Sequence, residues 1–580
     1  MQRRNMLKAT VSMGKSNAEP FFFVPGANGK FAIVSDDENI EPRYVERANL
    51  LSVIATENTV HNRLLHGFIT NYRDFRSAEK CVELRSFPAL VKHYSFKKRM
   101  PRCGGALLMS GASALRVRTK LFKDMGDKKA QRLLQDESEK ARHRSNQKLP
   151  VISTDDFSKD SSLPFVIECR NFYNYYHFTT ESMIYLQMYR DYALSGDIHF
   201  LTGGTSEVQP YLLRAVEDFY PDLFDKVSFL TGGTRYKKAI IPFNTNHLYH
   251  CSDSTVMKDI EEGAGFSNNL KDGDLRPETT ENYRWIFRNS RDEYIQRHRD
   301  DVLKRTYVHE GSRYVYVSRK QGASRQRSVV GEDALIEMLS RYGFDVVQFE
   351  NMTPLQQASL CHSVDILVSA HGAGFTNMLY GKPGSSFIEL SHLQTARHRF
   401  GDFNMHASAS GVNYTHFFAD HDVGESDEVP NLHHEGHAGI SISERVLQKL
   451  ELFIASLVQK DEQKKFFSRI EGLRRKEDHA TLISVINLDT LRSAVCPRTV
   501  GFLAEAYEKT EMTQEALKAY STLVSLVPYR ADLWAKVLEL AEALADEQTV
   551  SWALEMSESY RRARWMRWCR TEHGAIAIQG

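Results

Sequence analysis

Short apolar runs alternate with amphipathic segments between residues 313 and 391, and this alternation is the clearest pattern in the chain. Four runs have strand length: "RYVYVS", "FDVVQF", "DILVSA" and "SFIEL". They are separated by helical stretches, "GEDALIEMLSRYG", "TPLQQASLCH" and "FTNMLYG", some of which carry capping residues. The runs lack the in–out alternation of a half-exposed strand, so we expect both faces of the sheet to be covered. The pattern predicts a parallel, doubly wound α/β sheet.

A second α/β region is predicted upstream of it. "PFVIEC", "DIHFLTGG", "KVSFLTGG" and "KKAIIPF" are strand candidates, and "NYYHFTTESMIYLQMYRDYAL" is a helix candidate that follows the first of them. The charged stretch 283–305 is predicted as a helix that connects the two regions.

The last hundred residues have a helical composition and resemble tetratricopeptide repeats over one repeat length. A 34-residue frame that starts at Pro497 puts small and aromatic residues at the expected positions, and the next frame, from Ala531, degrades after Trp534. The matching positions are Leu503, Ala504, Tyr507, Ala516, Tyr520 and Pro528. We therefore expect a helical appendage that offers a surface to a protein partner, and no extended solenoid.

A chain of 580 residues is too long for one hydrophobic core. We predict four regions. They are an N-terminal extension with the start of the first lobe (1–160), an N-terminal α/β lobe (161–305), a C-terminal α/β lobe (306–460) and the helical region (461–580).

Charge and cysteine usage limit the function classes. The 75 Lys and Arg residues balance 74 Asp and Glu residues, which leaves no basic excess for a nucleic-acid partner. The local basic stretches "SFKKRMPR" and "RRARWMRWCR" are expected to be solvated helix faces or tails. The seven cysteines are scattered without metal-ligand spacing, and the sequence shows neither a signal peptide nor a run of eighteen apolar residues. We expect a cytoplasmic protein with at most peripheral membrane contact.

Candidate chemistry lies where the predicted strands end. In an open parallel sheet, ligands bind beyond the carboxyl ends of the strands, and "HGAG" with His371, Gly372 and Gly374 has that position. Glycines let the backbone approach a ligand, and free N–H groups at a helix start attract an anion such as a diphosphate. The spacing matches neither a dinucleotide fingerprint nor a P-loop. A turn that serves only packing is the alternative.

Charged residues follow two further strands of the same edge. Arg319, Arg325 and Arg327 come directly after "RYVYVS", and arginine binds phosphate through a planar fork. Glu389 ends the strand after the glycine turn, where it could accept hydrogen bonds from two ribose hydroxyls. The alternatives are a surface loop for the arginines and a cap or salt bridge for Glu389.

Three blocks of the chain resemble the signature blocks of glycosyltransferase family 61: "NFYNYYHFTTE", "YVYVSRKQGASRQR" and the stretch from "TPLQQASLCH" to "SFIEL". The resemblance covers roughly residues 165–400. It implies a GT-B architecture with two Rossmann-like lobes facing a cleft, an inverting mechanism and no metal or other cofactor. It also implies a nucleotide-sugar donor, UDP-linked, and we expect a glycan or glycolipid acceptor. The residues it assigns to the donor half are Arg319, Gln357, His371, Gly372, Gly374, Asn377 and Glu389.

The sequence departs from the family in two respects. Animal and plant members usually carry an N-terminal membrane anchor, and we find none here, so a bacterial-type cytoplasmic enzyme is expected. The helical region is foreign to the core family.

Inverting transfer needs a base for the acceptor hydroxyl, and three assignments stay open. His177 opens a helix after a strand, and Glu181 lies four residues on, where it could fix the tautomer of the imidazole. Alternatively, Glu181 is the base, with its pKa raised by burial, or His177 is a hydrogen-bonded core residue.

Other clusters are expected to be structural. "DGD" at 272–274 and "DHD" at 420–422 are predicted as turns, and His433, His434 and His437 as an exposed segment. Two rival functions remain open. One is a catalytically inactive nucleotide-binding scaffold that recruits partners through the helical region, and the other is a metal-dependent hydrolase that uses the histidine-rich segment.

Overall fold

The protein is seen in a computed structural model, which describes most of the chain. The described residues are 22–23, 30–37, 42–71, 80–108, 125–126, 129–130, 132, 151–204, 208–244, 289–319, 328–423, 436–563, 567–570 and 576–579. Arg325, Arg327, His433, His434 and the "DGD" stretch lie outside them.

Six parallel strands form the C-terminal sheet, which confirms the alternation predicted for residues 313–391. In spatial order the strands are Phe344–Gln348, Tyr314–Ser318, Ile366–Ala370, Ser386–Ser391, Asn413–Phe418 and Leu50–Ile54. The last of these comes from the stretch that the predicted boundaries give to the N-terminal extension. The sequence carries no local sign of this pairing, because an edge strand is chosen by a neighbour more than 350 residues away.

Alternate residues of each strand enter different cores. Val315, Val317 and Leu367 pack on one face of the C-terminal sheet, and Tyr316 and Val368 pack on the other. Helices cover both faces, which is why the strands read as unbroken apolar runs. The helices that follow the strands are Glu332–Arg341, Pro354–Ser363, Leu393–Arg399, Asn404–Ser410 and Glu444–Val458, with 3₁₀ helices Phe349–Asn351 and Ala373–Tyr380.

The strand order reverses at the centre of this sheet. From Tyr314–Ser318 the chain moves outward to Phe344–Gln348, then returns to pair Ile366–Ala370 on the other side of the first strand. Two connections therefore leave in opposite directions at the carboxyl ends of Tyr314–Ser318 and Ile366–Ala370. Such a switch point opens a crevice in which α/β proteins bind ligands.

The N-terminal sheet is mixed. Its parallel part is Phe165–Glu168, Ile198–Leu201 and Val227–Leu230, joined by helices Tyr175–Glu181, Leu186–Asp191 and Pro210–Phe219. Its antiparallel part is built on the long pair Ser86–Lys97 and Thr234–Asn244. From Ser86–Lys97 the sheet continues through Met100–Cys103, Ala106–Leu108 and Phe22–Phe23. Ser86–Lys97 also pairs with Phe31–Val34, which in turn pairs with Val151–Ile152. Short helices Thr154–Phe157, Ser158–Asp160, Met183–Tyr185 and Phe224–Lys226 complete this part. The assignment of two Rossmann-like GT-B lobes stays a prediction.

The basic stretch "SFKKRMPR" is a hairpin, and the expectation of a helix face or tail is wrong. It ends the strand Ser86–Lys97, turns, and begins Met100–Cys103. Tyr94 and Phe96 are buried while Lys97 is exposed, so the burial follows the two-residue period of a strand.

Three small sheets join the larger parts. They are Ser290–Asp292 with Lys80–Leu84 and Arg43–Glu46; Val329–Val330 with Ile440–Ser441 and Asp420–His421; and Arg567–Arg570 with Ile576–Gln579. The predicted connector helix 283–305 is shorter than expected, because the helix Glu293–Leu303 begins only after the strand Ser290–Asp292.

The C-terminal region is helical, as predicted. Its helices are Lys460–Arg475, His479–Asn487, Thr490–Val495, Pro497–Lys509, Thr513–Leu526, Ala531–Ala543 and Glu547–Ala563. Ala504, Ala516, Tyr520 and Trp534 share one core. The last helix docks on helix Thr59–Asn71, where Tyr560 donates a hydrogen bond to Asn62 at 3.2 Å. The tetratricopeptide assignment stays a prediction. Among the described helices, none combines the length and apolarity needed to cross a membrane.

A capping box fixes the start of helix Pro354–Ser363. The Thr353 hydroxyl accepts from the Gln356 N–H at 3.3 Å, and the Gln356 side chain accepts from the Thr353 N–H at 2.7 Å. We expect Thr353→Ala to lower the free energy of unfolding by about 1 kcal/mol, because one N–H of the first turn loses its partner. Urea unfolding measures the change. Thr522→Ala, at a half-buried position inside helix Thr513–Leu526, is the control and should leave stability unchanged or slightly higher.

Candidate functional site

Arg319 and His371 meet at the switch point of the C-terminal sheet. Each follows the last residue of its strand by one position, and the two strands are neighbours. The Arg319 Nη2 donates a hydrogen bond to the His371 carbonyl oxygen at 2.8 Å. The sequence prediction that these two residues share one edge agrees with this contact.

The two glycines of "HGAG" serve close approach. The backbone of Gly372 is extended, with φ 166°, a conformation open to any residue. A Cβ at this position would nevertheless overlap the Arg319 Nη2, and a Cβ on Gly374 would lie 3.1 Å from the Phe349 ring. A side chain at position 372 would therefore displace the Arg319 guanidinium from this contact.

Three backbone N–H groups beside Arg319 remain open within the described part of the chain. The first hydrogen bond of the 3₁₀ helix runs from the Phe375 N–H to the Gly372 carbonyl at 2.9 Å. Among described residues, the N–H groups of Gly372, Ala373 and Gly374 have no acceptor. Ala373 is half-buried and Gly374 is exposed, so a ligand can reach them. Consecutive N–H groups of this kind form a concavity for an anion.

Arg319 forms no ion pair with a carboxylate among the described residues. Burial lowers the pKa of Arg319, while Glu350 and Tyr316 act in the opposite direction. An arginine keeps its proton under such a shift, so the site holds a largely desolvated cation next to open N–H groups.

Glu389 lies beneath this edge, and its predicted contact with ribose does not fit its position. Only 1% of its surface is exposed. The His371 Nδ1 lies 2.8 Å from one carboxylate oxygen, and Tyr414 donates to the other. Burial alone would raise the pKa of Glu389. The opposite effect of His371 and His416, through their charges and their hydrogen bonds, is larger and holds the pKa well below its usual range. Glu389 thus orients the His371 ring from below.

Gln357 and Asn377 are engaged in a hydrogen-bond relay. Tyr175, on a helix of the N-terminal sheet, donates to the Asn377 Oδ1 at 3.0 Å, and the Asn377 Nδ2 donates to the Gln357 Oε1 at 2.6 Å. The Gln357 Nε2 continues to the carbonyls of Phe349 and Met352. The structure therefore places both residues near the site but uses their polar groups to hold the 3₁₀ helix.

His177 and Glu181 are joined on one helix face, and Arg170 completes the cluster. The His177 Nδ1 lies 3.0 Å from the Glu181 Oε1, and the Arg170 Nε donates to the Glu181 Oε2 at 3.0 Å. The Arg170 Nη2 also donates to Glu181 and lies 3.2 Å from the His177 Nδ1. All three side chains are about one-tenth exposed.

The electrostatics of this cluster oppose one of the predicted assignments. Burial acts to raise the pKa of Glu181, but Arg170 and His177 lower it to about 2. Glu181 is therefore a carboxylate at neutral pH, and the predicted net rise of its pKa is wrong, because the contacts with Arg170 and His177 outweigh burial. As an acceptor it favours a proton on the His177 Nδ1, which leaves the lone pair on Nε2. Because Arg170 neutralises the carboxylate, the imidazole is oriented without facing an uncompensated negative charge.

Aromatic contacts link the helix of His177 to the His371 ring. Tyr176 donates to the Asp402 carbonyl at 2.9 Å, and its ring lies 5.5 Å from that of Phe403. The Phe403 ring in turn lies 5.5 Å from the His371 ring. Helix Tyr175–Glu181 is thereby held against the 3₁₀ helix Ala373–Tyr380.

Arg170 and Tyr175 were missed at the level of the sequence. Arg170 follows the strand Phe165–Glu168 by two positions, so the rule that singled out Arg319 could have found it. Tyr175 carried no signal, since its partner Asn377 is 202 residues away.

No metal site is found in the described part of the chain, where no three His, Cys, Asp or Glu side chains converge. In "DHD", Asp420 and His421 form a short strand where a turn was expected. Asp420 accepts from the N–H groups of Glu57 and Asn58, and Asp422 accepts from the Gly439 N–H.

A separate cavity in the N-terminal part differs in charge. It is lined in part by Asp37, Arg85, Glu293 and Arg297. Arg85 pairs with Asp37 and Glu293 at 3.3 Å each, and Arg297 pairs with Asp191 at 2.7 Å. Its arginines are paired with carboxylates, whereas Arg319 has no such partner among the residues that the structure describes.

Gly372→Ala should displace the Arg319 guanidinium and weaken anion binding. We expect the affinity for inorganic pyrophosphate, measured by calorimetry, to fall by about tenfold or more, because a charge-assisted contact contributes about 1.5–3 kcal/mol. Gly472→Ala is the control, since a Cβ there meets open space within a helix. It should leave pyrophosphate binding unchanged, and equal binding by both variants would contradict the assignment.

Glu181→Gln should destabilise the protein at neutral pH by about 3 kcal/mol, because Arg170 loses its buried partner. The folded-state pKa of Glu181, about 2, is below its ordinary value of 4.5. Its contribution is therefore complete above that ordinary value and is lost as the pH falls toward 2, so wild type and variant should converge in acid. Urea unfolding at several pH values measures this. The exposed pair Arg474–Glu505 supplies the control Glu505→Gln, expected to cost less than about 1 kcal/mol.

Comparison with known proteins connects this geometry to a family. Residues 175–388 match the family model Glycosyltransferase 61. The xylan glycosyltransferase MUCI21 of Arabidopsis thaliana is 36% identical over 72 residues, which is 12% of this chain and only 15% of that protein's length. The matched range includes His177, Glu181, Arg319 and His371, while Arg170 and Glu389 lie just outside it. The region that carries His177, Glu181, Arg319 and His371 is therefore similar to glycosyltransferase 61.

Proposed function

We propose that this protein is an inverting glycosyltransferase. It moves a sugar from a nucleoside-diphosphate donor, UDP-linked by family resemblance, to a hydroxyl of a glycan or glycolipid. One observation carries the proposal. Arg319, unpaired with a carboxylate among the described residues, lies beside three open N–H groups at the switch point of a region similar to glycosyltransferase 61.

The donor diphosphate binds at this edge in the proposal. Arg319 contributes a fixed charge and the N–H groups of Gly372, Ala373 and Gly374 contribute dipoles, so negative charge is stabilised as the diphosphate departs. These groups are pre-positioned by contacts within the protein and need little reorganisation during the reaction. The positive charge that a divalent metal ion would bring to a diphosphate is here carried by the Arg319 side chain. We therefore propose that no divalent metal is required.

The acceptor is activated from the opposite side of the crevice. Its hydroxyl oxygen attacks the anomeric carbon, the bond from that carbon to the diphosphate oxygen breaks, and the hydroxyl proton passes to the His177 Nε2. The attack comes from the face opposite the leaving group, which inverts the configuration. Glu181 accepts the proton of the His177 Nδ1, so that Nε2 is the nitrogen available for the acceptor proton.

The structure favours His177 over Glu181 as the base. Glu181 has a pKa of about 2 and both carboxylate oxygens bound, which makes it a poor proton acceptor at neutral pH. Its role in the proposal is to position His177.

Separate variants should uncouple donor binding from transfer. His177→Ala should still be stabilised by the donor, but its rate of sugar transfer should fall by about a hundredfold or more. The reason is that general-base catalysis accelerates such a step by about 10²–10⁴. Arg319→Ala should lose the donor-induced rise in melting temperature. Thermal-shift screening against UDP-, GDP-, CMP- and ADP-sugars detects binding, since a ligand at 100 times its dissociation constant adds about 2.7 kcal/mol. Product analysis measures transfer, with and without EDTA.

His479→Ala, in the helical region, is the matched control and should behave as wild type. Full transfer by His177→Ala would overturn the base assignment. Donor binding without turnover across a broad acceptor panel would favour the scaffold alternative, and loss of activity in EDTA would remove the metal-independent mechanism.

A further inference from the structure

A strongly basic surface lies on the N-terminal sheet. We call it the basic hairpin, residues 92–103 with the paired segment 234–238. Neither segment contains an acidic residue, although the whole chain is balanced at +1. Arg235 pairs with Ser95 in antiparallel register, so Arg235, Lys237 and Lys97 share one face of the sheet. All three are exposed, and Lys98 is exposed at the adjoining turn.

These charges are not consumed by the fold. Within the described residues, Lys97, Lys98, Arg235 and Lys237 make no ion pair within 4 Å, whereas Lys238, on the other face, pairs with Asp160 at 2.6 Å. Buried aromatic residues occupy the opposite face, where Tyr94 is 2% and Phe96 0% exposed. The hairpin is thus anchored by its apolar face and presents a concentrated positive charge to the solvent.

The turn of the basic hairpin lies over the edge that carries the proposed base. The Lys97 Cγ lies 3.8 Å from the position of a Cβ on Gly233, and the Arg99 Nη2 lies 3.2 Å from that of a Cβ on Gly204. These glycines follow the strands Val227–Leu230 and Ile198–Leu201, and Arg170 follows the next strand, Phe165–Glu168. Neighbouring strands are about 4.8 Å apart, so the turn and the Arg170 cluster are separated by about two strand spacings, or about 10 Å.

Exposed aromatic residues lie between the two. The Phe172 ring packs beside Gly204, and the next residue, Tyr173, is 38% exposed. Tyr211, which is 40% exposed, donates to the Tyr173 carbonyl. Aromatic faces of this kind pack against the C–H faces of sugar rings while their hydroxyls stay hydrated. The edge therefore offers, in order, a base, aromatic faces and cations.

We propose that the acceptor is an acidic glycan, whose carboxylate-bearing sugars bind the basic hairpin while a hydroxyl nearby reaches His177. This inference rests on the proposed function, which it narrows to one class of acceptor. Long-range attraction by the hairpin steers the chain to the crevice, and the contacts with Lys97, Lys98 and Arg235 fix its direction.

Other polyanions fit the hairpin less well. None of its described residues is a large exposed apolar side chain of the kind that a membrane-binding surface inserts into lipid. The balanced charge of the whole chain disfavours a nucleic acid. A lipid membrane and a nucleic acid are therefore compared directly with the acidic glycan in the test.

Binding of fluorescent oligogalacturonate of about ten sugars to the full-length protein tests the inference, with a neutral xylo-oligosaccharide of equal length alongside. Lys97→Glu/Lys98→Glu should weaken oligogalacturonate binding by about tenfold or more, because it replaces attraction by repulsion. Wild-type binding should weaken as NaCl rises from about 50 to about 300 mM, because the distance over which charges attract becomes shorter as the salt concentration rises. Lys464→Glu/Lys465→Glu, an exposed pair on helix Lys460–Arg475, is the charge-matched control and should bind as wild type.

Several results would overturn the inference. These are equal affinity for the neutral oligosaccharide, no effect of the charge reversal, and tighter binding of dextran sulfate, phosphatidylglycerol vesicles or single-stranded DNA than of oligogalacturonate. If the turn variant unfolds, Arg235→Glu on the neighbouring strand gives the same test. Donor-induced thermal shifts of the wild type report the proposed function independently. Glycan binding without any donor shift would refute the transferase, and a donor shift without glycan binding would refute only the acidic acceptor.

Discussion

The site depends on the contact between Arg319 and the backbone at His371 and Gly372. The guanidinium donates to the His371 carbonyl and occupies the space where any other residue than glycine would place its Cβ. That contact requires two adjacent strands to end at the same level and the chain to leave them in opposite directions. The doubly wound order of the C-terminal sheet provides both conditions.

The two arginines Arg170 and Arg319 have different electrostatic surroundings. Arg170 is neutralised by Glu181, and the pair orients His177. Arg319 has no carboxylate partner among the described residues and keeps its charge for a ligand. A desolvated cation without a partner is costly for folding, so its presence at a ligand edge points to a bound anion. The division fits a reaction in which one side accepts a proton and the other stabilises a departing negative charge.

Several residues first grouped as ligand contacts are supports. Glu389 lies under His371, and Asn377 and Gln357 connect the 3₁₀ helix to Tyr175 on a helix of the N-terminal sheet. Both oxygens of the buried Glu389 carboxylate are engaged by protein groups, which favours a supporting role. Such residues act by limiting movement of the groups that touch the ligand, and their substitution would alter geometry more than charge.

The sequence alone determined four strands of the C-terminal sheet, because unbroken apolar runs between helical segments have few other solutions. It also located Arg319, His371 and the pair His177 and Glu181, since each follows a strand end or a four-residue helical spacing. Only the tertiary structure decided that Leu50–Ile54 completes the sheet, that Arg170 holds Glu181 ionised and that Tyr175 reaches Asn377. Some of these contacts join residues that are distant in the chain. The ionisation of Glu181 depends on how far the effect of burial is offset by neighbouring charges. A local sequence pattern predicts neither of these. The basic stretch at residues 95–102 shows the same limit, since its charges were visible in the sequence but the hairpin that presents them at the crevice was not.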